Sequence, residues 1–295
     1  MAAFTSATNA WLSSLINKFA LEEVLTKTWE NPFAVFKKGD MPLGFHAGFH
    51  HANPAVLGDY TRPAAPNYTD PFAGADPVVF SDYLKVEQDK IASTIISDDY
   101  LSDALTSWEK LDEFVQTIIG TVYTGNAAWE YNTMNEKLPE VKKASQVFSG
   151  LTVPTDEATA QAAIIRLAAA SKVMTRITGT YTGREGVLTF TDKANQLLIT
   201  TDAFQLGAEV YAKSVAFNPS YLDKLPAWET VESLGQYEGA NVVAILIDRA
   251  RFQWRDKLFR VESIRNPADG VTVYWLRRRA LVGNVDFANA AIFTA

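Results

Sequence analysis

Residues 242–256 read VVAILIDRARFQWRD, and the parsing of this stretch decides the fold. Val242 to Ile247 are all apolar and mostly branched. A run of this length, bounded by polar residues, reads as a strand buried on both faces. It falls far short of the ~20 apolar residues that a membrane-crossing helix needs. Asp248 closes the run, and Phe252 to Phe259 follow as a less regular mix of aromatic and charged residues. Asn266-Pro267 and Asp269-Gly270 supply turn chemistry, and Val271 to Leu276 read as a further strand.

Upstream of the buried run, Leu197 to Thr200 and Val187 to Phe190 read as short strands, with Gly183-Arg184-Glu185-Gly186 as a turn before them. A helix is expected from about Asp202 to Phe217. Residues 155–178 read as an earlier helix, capped by Thr155 after Pro154 and alanine-rich through Ala170, so that a neighbour can approach closely. Over residues 97–137, Leu101, Leu105, Trp108, Leu111, Val115, Ile118 and Val122 step by three or four. That spacing predicts a long helix capped at Ser97 or Asp98, with Gly120 and Gly125 weakening its later turns. Residues 9–28 carry Trp11, Leu12, Leu15, Ile16 and Phe19 at helical spacing. Asn9 is a candidate cap for this short amphipathic helix, which must dock on its own core or on a neighbour.

Residues 31–77 differ from the rest. They hold seven of the twelve prolines and Gly39, Gly44, Gly48, Gly58 and Gly74, which rule out a long regular helix. They also hold Phe33, Phe36, Phe45, Phe49, Tyr60, Tyr68 and Phe72, which are costly to leave in water. A long, extended, aromatic-bearing arm is unusual inside a compact domain. It is expected where the arm packs on another chain.

The composition is that of a folded chain: 295 residues, 47% hydrophobic and 21% charged, with a net charge of −7. Residues 241–295 carry nine Lys/Arg and five Asp/Glu, a net +4, which leaves −11 for the preceding part. The acidic balance argues against sequence-independent nucleic-acid binding, and the asymmetry lets one part of a subunit face an oppositely charged part of its neighbour. There are no cysteines, so disulfides, thiolate metal sites and cysteine nucleophiles are excluded, and cytosolic synthesis fits. The first 24 residues lack a basic leader, so no signal peptide is expected.

Little catalytic chemistry is visible. No nucleophile elbow, phosphate-binding glycine loop or dinucleotide fingerprint occurs. His46 and His50 are four apart, but Pro42, Gly44, Gly48 and Pro54 argue against the helix that would let them share a metal. Interface-packed or solvated histidines are the better reading. Carboxylate pairs such as Asp98-Asp99 are what chance provides among 34 acids. On a strand, Arg277 and Arg279 would share one face and Arg278 the other. An inter-subunit ion-pair site or a solvated face is favoured there over a nucleic-acid patch, and the guanidinium fork suits the former because it pairs carboxylates bidentately. No catalytic residue, cofactor or metal site is expected.

The order of motifs in the last third carries a resemblance. Thr191 to Thr201 (TDKANQLLITT) precede a helix ending in Ala216-Phe217-Asn218. Then come Ala244 to Asp256, Arg265-Asn266-Pro267, a strand through Tyr274-Trp275, and Asn289-Ala290-Ala291-Ile292-Phe293. This order resembles the major capsid proteins of tailed bacteriophages, particularly podophage-like members. The resemblance implies an α+β, HK97-like capsid fold: an N-arm at 1–30, an extended loop at 31–80, a peripheral domain with a spine helix at 81–185, an axial domain at 186–250, and return strands at 251–295. It implies a structural protein, not an enzyme, that assembles in the host cytoplasm through pentamers and hexamers into the icosahedral shell of a virion. Scaffolding, portal and decoration proteins are the implied partners, with weak, non-specific contact to packaged double-stranded DNA and none to membranes. Candidate inter-subunit contacts are Trp11, Phe19, Phe33, Phe36, Phe45, Phe49, Tyr60, Phe72, Arg277 and Arg279. Two other readings stand beside it: an encapsulin-like compartment, and a hydrolase built on His46, His50 and His51.

Overall fold

The computed structural model describes residues 29, 31–57, 76–84, 87–97, 108–213, 225–268 and 270–295. The expected helix at 9–28, with Trp11 and Phe19, lies outside these residues, as do Tyr60 and Phe72. In chain order the elements are β1 (Lys37–Asp40), β2 (Ala47–Ala52), β3 (Val79–Leu84), β4 (Glu87–Ser97), α1 (Trp108–Lys137), β5 (Val147–Phe148) and α2 (Glu157–Met174). They continue with β6 (Gln196–Thr201), α3 (Asp202–Lys213), β7 (Ala227–Val231), β8 (Gln236–Tyr237), β9 (Ala240–Asp248), β10 (Phe252–Asn266), β11 (Val271–Asn284) and β12 (Ala290–Thr294).

The apolar run is the inner strand that its composition requires. β9 lies within a six-strand sheet whose five-strand path is β5-β12-β9-β6-β7, antiparallel to β12 on one side and β6 on the other, with the short β8 also paired to β9. Ile245 sits between Ile199 and Ile292, so these side chains share one face, while Leu246 sits between Leu198 and Ala291 on the other. The Leu246 face is covered by α2 and α3 through Ile164, Leu167, Met174, Phe204 and Ala208. The Ile245 face packs on Phe252, Trp254, Ala280 and Val282, on Met134 and Leu138 of α1, and on Phe33 and Phe36. With layers on both faces, neither side of β9 tolerates a polar residue.

β10 and β11 form a long antiparallel hairpin in a second sheet, of order β1-β10-β11-β4. Its root carries the buried Phe252, Trp254, Ala280 and Val282, whereas residues 260–266 of β10 are exposed. β2 and β3 make a separate two-stranded sheet.

Several expectations are corrected. Ser97 lies in a strand, as the last residue of β4, and the described helix begins at Trp108; the other expected cap, Asp98, lies outside the described residues. β4 has no counterpart in the sequence reading. Asp156, not Thr155, caps α2: its carboxylate accepts from the Thr159 amide at 2.8 Å, and the Thr159 hydroxyl accepts from the Asp156 amide at 3.1 Å. That reciprocal pair satisfies two donors at the helix start. The strand expected at 187–190 is a single bridge between Thr178 and Thr189. The irregular stretch from Phe252 is the start of a 15-residue strand, and the strand from Val271 runs on to Asn284. The expected helix from Asp202 is present to Lys213, beyond which its end lies outside the described residues.

Candidate functional site

Two surfaces stand out for what they leave uncovered. The first is the three-stranded ribbon of β4, β11 and β10. Directly paired residues point to the same face, so the register sorts the side chains. One face turns toward α1. Phe259 meets the Tyr123 ring at 5.9 Å, and Arg278 reaches Glu130. The opposite face carries the cross-strand set Ile264, Val273 and Ile95, then Trp275 opposite Glu262, then Ile91 opposite Arg277. Ile91, Ile95 and Ile264 are 68%, 66% and 60% exposed. Three branched apolar side chains on one open sheet face are a docking surface or an aggregation hazard.

Arg277 and Arg279 lie on this open face and share Asp89 of β4. Arg279 donates to Asp89 Oδ2 at 2.6 Å through Nη2, and Arg277 stands 3.7 Å from the same oxygen. The hydrogen bond from Arg279 holds the Asp89 carboxyl below the usual 3.8. Arg278 points the other way, as alternation requires, and is buried. It binds Glu130 Oε1 at 2.5 Å and Asp256 Oδ1 at 2.7 Å. Lys37 reaches the other Glu130 oxygen at 2.5 Å, so two acids and two cations tie α1, β1, β10 and β11 together. Arg251 is buried too, donating to the carbonyls of Ala288 and Glu140 at 3.0 and 3.4 Å. Burial lowers its guanidinium to about 10, well above neutrality, so it stays charged.

The second surface is the β2–β3 hairpin, clasped at its root. Phe49 and Phe80 pack with Val187, Val285 and Phe287. The Arg184 guanidinium lies 5.2 Å from the Phe80 ring centre and 5.9 Å from that of Phe287, and donates to the Ser81 carbonyl at 2.8 Å. Asn53 donates to the Gly186 carbonyl at 2.6 Å and accepts from the Leu188 amide at 2.9 Å. Beyond this root the chain turns apolar side chains outward: Val56 and Leu57 are 92% and 96% exposed. An arm rooted this firmly yet this bare at its described end resembles a connector between molecules more than a surface loop.

Of the candidate contact residues, Phe33 and Phe36 are corrected. Both are 0% exposed in the chain's own core, Phe33 stacked on Tyr131 and Phe36 edge-on to Phe252, and offer no area to a neighbour. Phe49 is half-buried at the hairpin root. Phe45 is 63% exposed. Ile91, Ile95 and Ile264 were missed, because an isolated isoleucine in a polar strand gives no signal until its neighbours across the ladder are known. The histidines do not converge on one point. His50 pairs with Ser81 Oγ at 2.8 Å, His51 with the Leu188 carbonyl at 3.0 Å, and His46 is exposed before β2. Among the described residues no group of His, Asp or Glu could hold a metal, and no helix is long and apolar enough to cross a membrane.

A model of the Phi29-like phage major capsid protein family matches residues 1–294. The major capsid protein of Bacillus phage GA-1 is 24% identical over 294 residues, covering 97% of this chain and 60% of its own. That of Bacillus phage PZA is 25% identical over 275 residues, covering 90% and 58%. The chain thus spans roughly three fifths of the length of these curated relatives. A chain in the capsid structure of Staphylococcus phage Andhra is similar at a TM-score of 0.67 and 10% identity, covering 92% of this chain and 86% of that one.

Proposed function

The chain belongs to the family of Phi29-like phage major capsid proteins, and from that premise we propose that it is the repeating subunit of an icosahedral phage head enclosing double-stranded DNA. Its fold is the α+β, HK97-like capsid fold, and the relatives that it matches are structural proteins, not enzymes. Nothing favours the encapsulin-like or hydrolase readings. The observation that carries the proposal is the pairing of a rooted apolar arm with an open apolar ribbon face on one chain. Arm and face are different surfaces, so contact between copies is heterologous, and heterologous contacts that close make rings and shells.

In this reading β4, α1, β10 and β11 make up the peripheral part, with α1 as its spine. The sheet around β9 with α3 makes up the axial part, and α2, β5 and β12 go with it because they pack or pair with that sheet, although 81–185 and 251–295 were expected in or returning to the peripheral part; the segment between β1 and β4 is the extended loop. Residues 1–30 form the N-arm. Phe45, Phe49, Tyr60, Phe72, Trp11 and Phe19 then supply contact area on neighbouring copies. Arg277 and Arg279, already paired in cis with Asp89, supply the cationic side of that contact. Pentamers and hexamers assemble in the host cytoplasm, aided by scaffolding, portal and decoration proteins, and the shell touches its DNA weakly and without sequence preference. Negative-stain microscopy of the purified chain tests the reading: rings, tubes or closed shells are expected, and a stable monomer at high concentration overturns it.

A further inference from the structure

Between α1 and the ribbon lies a pocket of about 220 Å³. Ala92, Trp129 and Leu276 wall it, and Gly125 also lines it. Asn126 and Arg278 also line it, and each presents one buried atom without a hydrogen-bond partner: the acceptor Asn126 Oδ1 and the donor Arg278 Nε. Both residues commit their other groups to the same oxygen. Asn126 Nδ2 lies 3.1 Å and Arg278 Nη2 2.5 Å from Glu130 Oε1, so both side chains converge on one carboxylate oxygen. Buried polar atoms left unpaired are costly, and Arg278 is only 5% exposed. Apolar walls around one acceptor and one donor suit a phenol: a ring for the walls, and a hydroxyl that donates to Asn126 and accepts from Arg278.

We infer that this pocket is a socket for a tyrosine of a second copy of this chain, supplied by the segment between β2 and β3. The inference rests on the shell reading above and names one of its contacts. The segment, residues 53–78, is 26 residues long. Folded back on itself, it can reach up to about 40 Å from its root. It contains Tyr60 and Tyr68, and Asp59, Asp70 and Asp76 against Arg62 give it a net charge of −2. Lys90 lines the socket and lies in the same cross-strand row as Arg278, so the cationic rim is complementary to the segment.

Gly125→Leu tests the socket without weakening the fold. A Cβ there meets nothing within 4 Å, and leucine is the better helix former, yet the side chain fills the pocket. Gly120→Leu is the control: its Cβ is equally free, and Gly120 does not line the pocket. The expected result is a Tm for both variants at or above that of the parent chain, with the yield of shells falling at least tenfold for Gly125→Leu and unchanged for Gly120→Leu. Equal shell yields overturn the socket. A photo-crosslinker at position 92, in shells mixed from light and heavy isotope-labelled chains, reports the occupant. Light-to-heavy crosslinks to Tyr60 or Tyr68 support the inference. Crosslinks to other segments, crosslinks only within one chain, or none, as water alone would give, overturn it while leaving the shell standing. Failure of the parent chain to form shells removes the shell reading itself, and the socket with it.

Discussion

Arg278 and Arg277 are adjacent, chemically identical and differently placed. Arg278 neutralises two carboxylates in a buried network, whereas Arg277 is exposed and lies at the edge of an Asp89 pair already served by Arg279. Removing one partner from a buried pair leaves an uncompensated charge at a cost of about 3–5 kcal/mol, whereas exposed pairs contribute about 0–1 kcal/mol. Arg278→Met is therefore expected to lower urea-unfolding stability by several-fold more than Arg277→Met, which should be nearly silent. Asp89 offers a separate test. Its carboxyl lies below the ordinary 3.8 because Arg279 donates to it. The depressed value means that the clamp is intact above pH 3.8 and is released as pH falls through the lower folded midpoint. A carboxyl-carbon NMR titration should place the Asp89 midpoint below 3.8, and Arg279→Met should return it toward that value. The alternation of the three arginines was legible from sequence, because a strand permits nothing else. Their partners were not, because Asp89, Glu130 and Asp256 are remote in sequence and come together only through the ladder and α1.

At the scale of elements, glycines separate propensity from packing. Gly120 in α1 faces open space, whereas a Cβ on Gly207 in α3 would lie 2.7 Å from the Pro154 carbonyl oxygen. Alanine gains about 0.5–1 kcal/mol of helix stability at either site. At Gly207 that gain is overturned by a backbone clash costing about 1–3 kcal/mol. Thermal unfolding should thus show Tm rising for Gly120→Ala and falling for Gly207→Ala. β9, α2 and most of α1 could be read from the sequence because one periodicity dominates each. β4 could not. Gln88-Asp89-Lys90-Ile91-Ala92-Ser93-Thr94-Ile95 shows no clean two-residue alternation, since neither of its faces is fully enclosed by this chain. β10 blurs for the same reason, with a root buried among aromatics and an outer half in solvent. Phe33 and Phe36 mark the other limit. Composition told that residues 31–77 needed something apolar to pack against, but could not say that these two rings find it at home while Phe45 does not.

For the whole molecule, the open ribbon face and the bare arm separate folding from assembly. Ile95 is 66% exposed and contributes little to the core. Surface substitutions of this kind change stability by less than about 0.5 kcal/mol. Ile95→Asp should therefore leave the unfolding curve of the isolated chain unchanged, while microscopy shows shells or rings lost. A parallel loss of both would mean that the face belongs to the core after all. The inner position of β12 has a further consequence, in time instead of space. Residues 290–294 fill the gap between β5 and β9, so the sheet around β9 cannot close while they are still inside the ribosome. Pairing over such long sequence separations is also slow once it starts. Until residues 290–294 pair, the halves of the core are made but not joined, so one short strand governs when the subunit is complete enough to build with.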